Sequence, residues 1–216
     1  MGRRSCGGRA QEDEVERGHL NASAATYHVL AALYNHGMIR LELAGVDSLL
    51  LSPLCRDCPH GRAGCCAAPP AVAWADIGRI VRRGGREFLL DELRADRLVP
   101  SARGLAIRRV AASEGFPARC TYLGPHDRGC VLVPDRRSAT CNYYLCEEAF
   151  VLARREGDPL ATSARIEHGR LEVFLGRCDI ELSKRVRSRF PAGPPWDAAF
   201  FDWVASEYDE LSKAHR

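Results

Sequence analysis

Ten cysteines stand in 216 residues, and eight of them fall into two groups. Cys55, Cys58, Cys65 and Cys66 lie in "CRDCPHGRAGCC", a C-x2-C-x6-C-C pattern. Cys120, Cys130, Cys141 and Cys146 follow as C-x9-C-x10-C-x4-C. Thiols gathered this way can close disulfides, cycle as a redox pair or bind metal. A C-x2-C step on a turn aims two sulfurs at one tetrahedral or cubane centre. Thiolate is the preferred ligand of zinc and of iron–sulfur clusters. The neighbours Cys65 and Cys66 are expected to diverge, which suits two nearby centres, or one cluster ligand with a second role. Eight thiolates make two four-sulfur sites or one cluster with a supporting zinc, and the spacing leaves that division open. Cys6 and Cys178 lie apart and are expected to be structural or incidental.

The rival chemistries fit less well. Cys55-Arg-Asp-Cys58 has the thioredoxin spacing, but Pro59 and Gly61 spoil the helix that would lower a thiol pKa. Haem attachment needs His directly after the second cysteine, where this chain has Pro59. The radical-type C-x3-C-x2-C step and the ferredoxin run are absent. So are the H-x-E of zinc deaminases and the glycine loops of nucleotide sites. Disulfides depend on compartment. The first residues, MGRRSCGGRAQEDEVERG, are charged and lack the apolar stretch of a secretory signal. No run approaches the length of a membrane span. A cytoplasmic, reducing location is therefore expected, where clustered thiols serve metals or catalysis rather than bridges.

Composition is that of a globular protein, with 46% hydrophobic and 27% charged residues. The cysteines are not needed to rescue a chain without a core. Lys184 and Lys213 are the only lysines, and 28 acidic residues nearly balance the arginines, leaving a net charge of +3. Nucleic acid is not an expected partner. Metal ions are, together with a protein substrate or partner.

These cysteines must be positioned by the elements around them. Residues 1–18 are polar and expected to be disordered. NASAATYHVLAALYNHG has helical spacing from Asn21. MIRLELAGVDSLLLSP reads as strand, turn, strand. The first cysteine group then falls in a loop. AWADIGRIVRRGGREFLLDELRA predicts two helices broken at Gly84-Gly85. LAIRRVAA, CTYLG and CVLVP predict short strands, with CTYLGPHDRGC as a hairpin. Asn142–Arg155 and much of 159–187 are expected to be helical. PAGPP then turns the chain into WDAAFFDWVASEYDEL, whose Trp196, Phe200, Trp203, Val204 and Leu211 share one helical face. The expected fold class is α+β: a small antiparallel sheet and cysteine-rich metal-binding loops packed with several helices. One domain over 19–190, with its core at 55–148, carries a linker and docking helix at 191–216.

Other residues are weighed by surroundings. His60 and His126 lie inside the two cysteine groups and could replace a thiolate, though loop histidines are common without that role. Asp76 is expected to cap a helix. Arg79, Arg82, Arg83 and Arg86 are expected to form a solvated basic stripe, with neutralisation of a thiolate cluster as the rival. Tyr122, Tyr143 and Tyr144 could shield a cluster or simply fill the core.

The ordered motifs "CRDC", "CC", "AWADIGRI" and "RCTYLGPHDRGCVLVPDRRSATCNYYLC" resemble the YkgJ-type cysteine-cluster family, a zinc- or iron-chelating domain. All eight family cysteines have a counterpart here, over about residues 55–148. The spacing between Cys58 and Cys65 is longer than the family's, and Ser138 stands where the family has proline. One branch of the family resembles flagellin lysine N-methylases, which carry an iron–sulfur cluster and use S-adenosylmethionine. The resemblance implies an iron–sulfur cluster of the 4Fe-4S type, with zinc as the alternative. Methyl transfer does not carry over with it, since no binding signature for S-adenosylmethionine stands in the sequence; support of protein lysine methylation is the sharpest enzymatic expectation. The competing expectation is a structural zinc module that presents a surface to a protein or RNA.

Overall fold

A computed structural model describes residues 37–55, 58–124 and 129–213. The expected tail, the helix expected from Asn21, Cys6 and His126 lie outside the described residues. Strands β1 (Arg40–Glu42) and β2 (Leu49–Leu51) pair antiparallel across a 3-10 turn at Gly45–Asp47. The chain then enters two further 3-10 turns, Pro53–Cys55 and Gly64–Ala67, which carry cysteines of the first group. Helices α1 (Trp74–Arg82) and α2 (Arg86–Arg94) follow, divided at Gly84-Gly85. A hairpin of β3 (Leu98–Ser101) and β4 (Gly104–Ile107) precedes the short ladder of β5 (Arg109–Val110) with β6 (Arg119–Cys120). Helices α3 (Ala139–Tyr143), α4 (Glu147–Arg155), α5 (Ala161–Arg189) and α6 (Ala198–Lys213) complete the chain.

The α+β class is borne out. Antiparallel pairing is divided among three two-stranded ladders rather than gathered in one sheet. The run CVLVP forms no strand. Only Cys130 bridges back, to Leu123, and Val131 and Val133 stay 63% and 61% exposed. β3 has no counterpart among the expected strands, because Pro100 and Ser101 cut short the apolar run of LVPS and hide its pairing with β4. The helix expected over Asn142–Arg155 is two helices. Its interior breaks where Cys146 adopts an extended backbone and becomes the residue that starts α4.

The helices make a tight body. Leu171, Leu175, Cys178, Leu182 and Val186 recur every three or four residues along α5 and are all buried. Proline at 191 disfavours helical geometry at Phe190, where α5 ends. Helix α1 crosses α6 closely enough that a Cβ on Gly78 would sit 2.4 Å from the Cβ of Tyr208. Trp196 lies ahead of α6 at φ +54°, not on its face. Its ring stacks on Trp74 at 5.7 Å, and Phe200 meets Trp74 edge-on at 6.3 Å. Full burial of a ring such as Phe200 contributes about 1.5–3 kcal/mol.

The basic stripe is corrected at its first member. Arg79 is only 2% exposed. It donates to Asp47 Oδ1 at 3.2 Å and to the carbonyl of Arg137. Arg82 pairs with Asp209 at 2.7 Å, Arg83 with Asp47 and Arg86 with Asp202. The stripe fastens α1 and α2 to their neighbours, and helical spacing alone could not show those partners. No described helix is long and apolar enough to cross a membrane.

Candidate metal centre

The eight cysteines lie on short neighbouring segments, and among the described residues the donor atoms of His60, Cys146 and Glu148 are the one group of three within 4.8 Å of one another. Cys55 ends a 3-10 turn tied by its own amide to the Ser52 carbonyl at 3.1 Å. From Cys58 the loop doubles back through two turns, Gly61 N to Cys58 O and Gly64 N to Gly61 O. Gly64 is needed there twice over. Its φ is +49°, and a Cβ on it would lie 2.8 Å from the Cys58 sulfur. Arg62 holds the loop from outside, donating to Gly115 O at 3.3 Å and lying over the Phe116 ring.

Cys120 sits in β6 opposite Arg109, and β6 packs against the turn that carries Cys65 and Cys66. Cys130 returns opposite Leu123, with Val131 N donating to Tyr122 O at 2.9 Å. The expected hairpin is present, and its tip lies outside the described residues. Tyr122 fixes this hairpin to α2. Its hydroxyl donates to Glu92 Oε2 at 2.5 Å, and Arg97 donates to the same carboxylate at 2.6 and 2.7 Å. Arg97 holds the Glu92 carboxyl below its ordinary pKa, and burial pushes the Tyr122 phenol well up. The Tyr122 amide donates to the Cys120 sulfur at 3.4 Å.

Cys141 lies in α3, and the start of that helix is held by Asp76. The Asp76 carboxylate accepts from Ser138 Oγ at 2.7 Å, from the Ala139 amide at 2.6 Å and from the Ala73 amide at 3.2 Å. Asp76 is not the N-cap residue expected: Ala73 holds that place, and Asp76, third in α1, reaches back to the Ala73 amide while mooring the cysteine segment to the helix. The Ser138 hydroxyl makes one of those bonds. Tyr143 is buried, whereas Tyr144 is exposed.

The thiols sense one another. Burial, and then Cys65, Cys146 and Cys58, raise the pKa of Cys55. Burial pushes Cys141 up to about 12 although its edge is open to solvent, with Cys130, Asp76, Cys120 and Cys65 adding to the rise. Burial also raises Cys120, as do Cys130 and Cys65. Cys146 is raised by burial first, with Glu148 and Cys58 contributing. The neighbouring thiols act on each other, an interaction that lowers Cys65 and raises Cys66. Cys66 is raised in turn by Cys120 and Cys141, so one sulfur pair meets both cysteine groups.

Every cysteine among the described residues is a free thiol. Cys178 is buried in α5, where burial and Asp179, not another thiol, raise its pKa. The donor set fits a thiolate-bound metal. Crowded thiolates repel each other in a half-buried site, and a cation removes that penalty by holding them deprotonated. Gly64 leaves room for a sulfur where any side chain would fill it. His60 and Glu148 stand at the rim, with His60 Nε2 to Glu148 Oε1 at 3.2 Å. The sequence weighs His60 but offers little for Glu148, whose one signal is a carboxylate just after a cysteine at a helix start. Family models, curated proteins and solved structures return no match to this chain.

Proposed function

We propose that this chain is a cytoplasmic metal-binding protein. Its leading cofactor is an iron–sulfur cluster, expected as 4Fe-4S, held by thiolates drawn from Cys55, Cys58, Cys65, Cys66, Cys120, Cys130, Cys141 and Cys146. What supports this reading is that β6, which carries Cys120, packs against the turn bearing Cys65 and Cys66, and that thiols of the two groups raise one another, Cys66 by Cys120 and Cys141 and Cys55 by Cys146. Sulfur donors from turns and helix starts can meet a cubane or a tetrahedral ion. The resemblance to the cysteine-cluster family adds support for S-adenosylmethionine-dependent protein lysine methylation as the reaction served.

A second reading, a structural zinc module, is favoured by a specific observation. Most of the thiols sit in short elements, 3-10 turns, a two-residue strand and the five-residue α3, and Val131 and Val133 beside Cys130 remain exposed. A metal would organise such loops and leave their apolar side chains to a protein partner.

Purification without oxygen or chelator, followed by the visible spectrum and the iron, sulfide and zinc content, tests both. Brown protein with matched iron and sulfide is expected, and S-adenosylmethionine binding is the next measurement. Colourless protein with bound zinc moves the function to the structural module. Protein that carries no metal and takes none up overturns both readings.

A further inference from the structure

The rim of the thiol set holds a different kind of donor group. The ligand atoms of His60, Cys146 and Glu148 all lie within 4.8 Å of one another. They offer one imidazole nitrogen, one sulfur and one carboxylate oxygen. Cys146 starts α4 and Glu148 lies in its first turn, so the helix fixes both. His60 comes from the turn closed by Gly61 N to Cys58 O at 3.1 Å. The site thus joins the two cysteine groups across the sequence.

We propose that His60, Cys146 and Glu148 form a second, solvent-facing site for a zinc-class divalent cation, distinct from the thiolate-rich centre. Zinc takes nitrogen, sulfur and oxygen donors at about 2.0–2.3 Å, so donors around one ion stand roughly 3–4 Å apart. The His60 and Glu148 side chains are 53% and 51% exposed and have room to close that gap. A simple surface pair of histidine and glutamate would not need the sulfur beside it. Carboxylate and thiolate together balance a doubly charged cation, with neutral imidazole as third donor. Three protein ligands leave the fourth tetrahedral position to water, the arrangement of exchangeable and catalytic zinc rather than of sealed structural zinc. The inference rests on the thiolate-centre reading only in drawing Cys146 out of that set.

The test uses the full chain, stripped of metal under reducing, oxygen-free conditions and titrated with cobalt(II). Cobalt per chain and the visible spectrum are followed for wild type, H60A/E148Q, E147Q and C66S/C141S. The H60A/E148Q chain is expected to bind one cobalt fewer than wild type and to lose the matching absorption. E147Q is expected to behave as wild type, since Glu147 pairs with Arg165 and Arg154 instead. Circular dichroism of the stripped proteins checks that the folds match. Equal cobalt and an unchanged spectrum in H60A/E148Q would overturn the proposal. C66S/C141S separates the two readings: it is expected to lose the thiolate-rich cobalt and keep the rim ion. Full uptake in that variant would sink the thiolate centre and leave the rim site to be judged by the H60A/E148Q difference.

Discussion

The helical body and the cysteine loops of this chain are ordered by different physics. In the body, α1, α5 and α6 bury Ile77, Ile80, Leu182, Phe201 and Tyr208 against one another with little side chain left exposed. The loops have two-residue strands, single 3-10 turns and exposed valines. The body is held first by its apolar stripes, with the arginine pairs of α1 and α2 added at its edge. The loops are pinned by a few polar moorings and, on the proposed reading, by a metal. Residues that pack the body should control stability, and residues that line the loops should control metal.

The largest expected effect lies in the body. Phe200→Ala removes the ring that touches Trp74, Phe190 and Trp196. It is expected to cost about 3–5 kcal/mol in urea unfolding. A loss below about 1 kcal/mol would break the comparison at its stronger end.

Asp76 joins the two regions. Asp76→Asn keeps the size but loses the charge that accepts from Ser138, Ala139 and Ala73. Bonds to a charged group are worth about 1.5–3 kcal/mol, and a loss in that range is expected in chemical unfolding. Because the Cys141 segment is moored there, metal retention should fall too. Normal metal binding in a destabilised D76N would show that the mooring serves the body alone.

The contrast also explains what was legible in the sequence. The helices α1, α2 and α5 follow from apolar spacing, a glycine break and a proline stop, all local signals. The gathering of the cysteines into two groups was visible as well. The moorings were not, because they join residues distant in sequence. Arg79 looked like part of a solvated stripe, yet its partners Asp47 and Arg137 arrive from other elements. Glu92, Arg97 and Tyr122 form a network that no spacing rule predicts. The 3-10 turn that carries Cys65 and Cys66 has no strong sequence signal, because Gly64-Cys-Cys-Ala lacks both helical and strand periodicity. CVLVP carried strand propensity but has no ladder to join, apart from the bridge at Cys130.

A smaller effect is expected at Asp179. Burial pushes its carboxyl up to about 7, and the charge of Asp76 adds to the rise, against the hydrogen bond from the Ala75 amide. A raised folded pKa means the protonated native form is favoured. That contribution is complete below about pH 4 and is lost as pH rises through about 7. Thermal stability should therefore decline across this window. Asp179→Asn should flatten the decline and gain about 2–4 °C above it. A pH profile identical to wild type would contradict the assignment.

The smallest effect on metal is expected at Cys178. Cys178→Ser buries a hydroxyl in the body and should lower stability by about 1–3 kcal/mol. Metal per chain should not change, and a loss of metal would place Cys178 in the loop system after all.

The most direct measurement is metal per chain in Cys55→Ser and Cys141→Ser beside wild type, all purified without oxygen. The account predicts that both variants lose most of the metal while their helical circular dichroism stays near wild type. Wild-type metal content and melting temperature in both variants would contradict it.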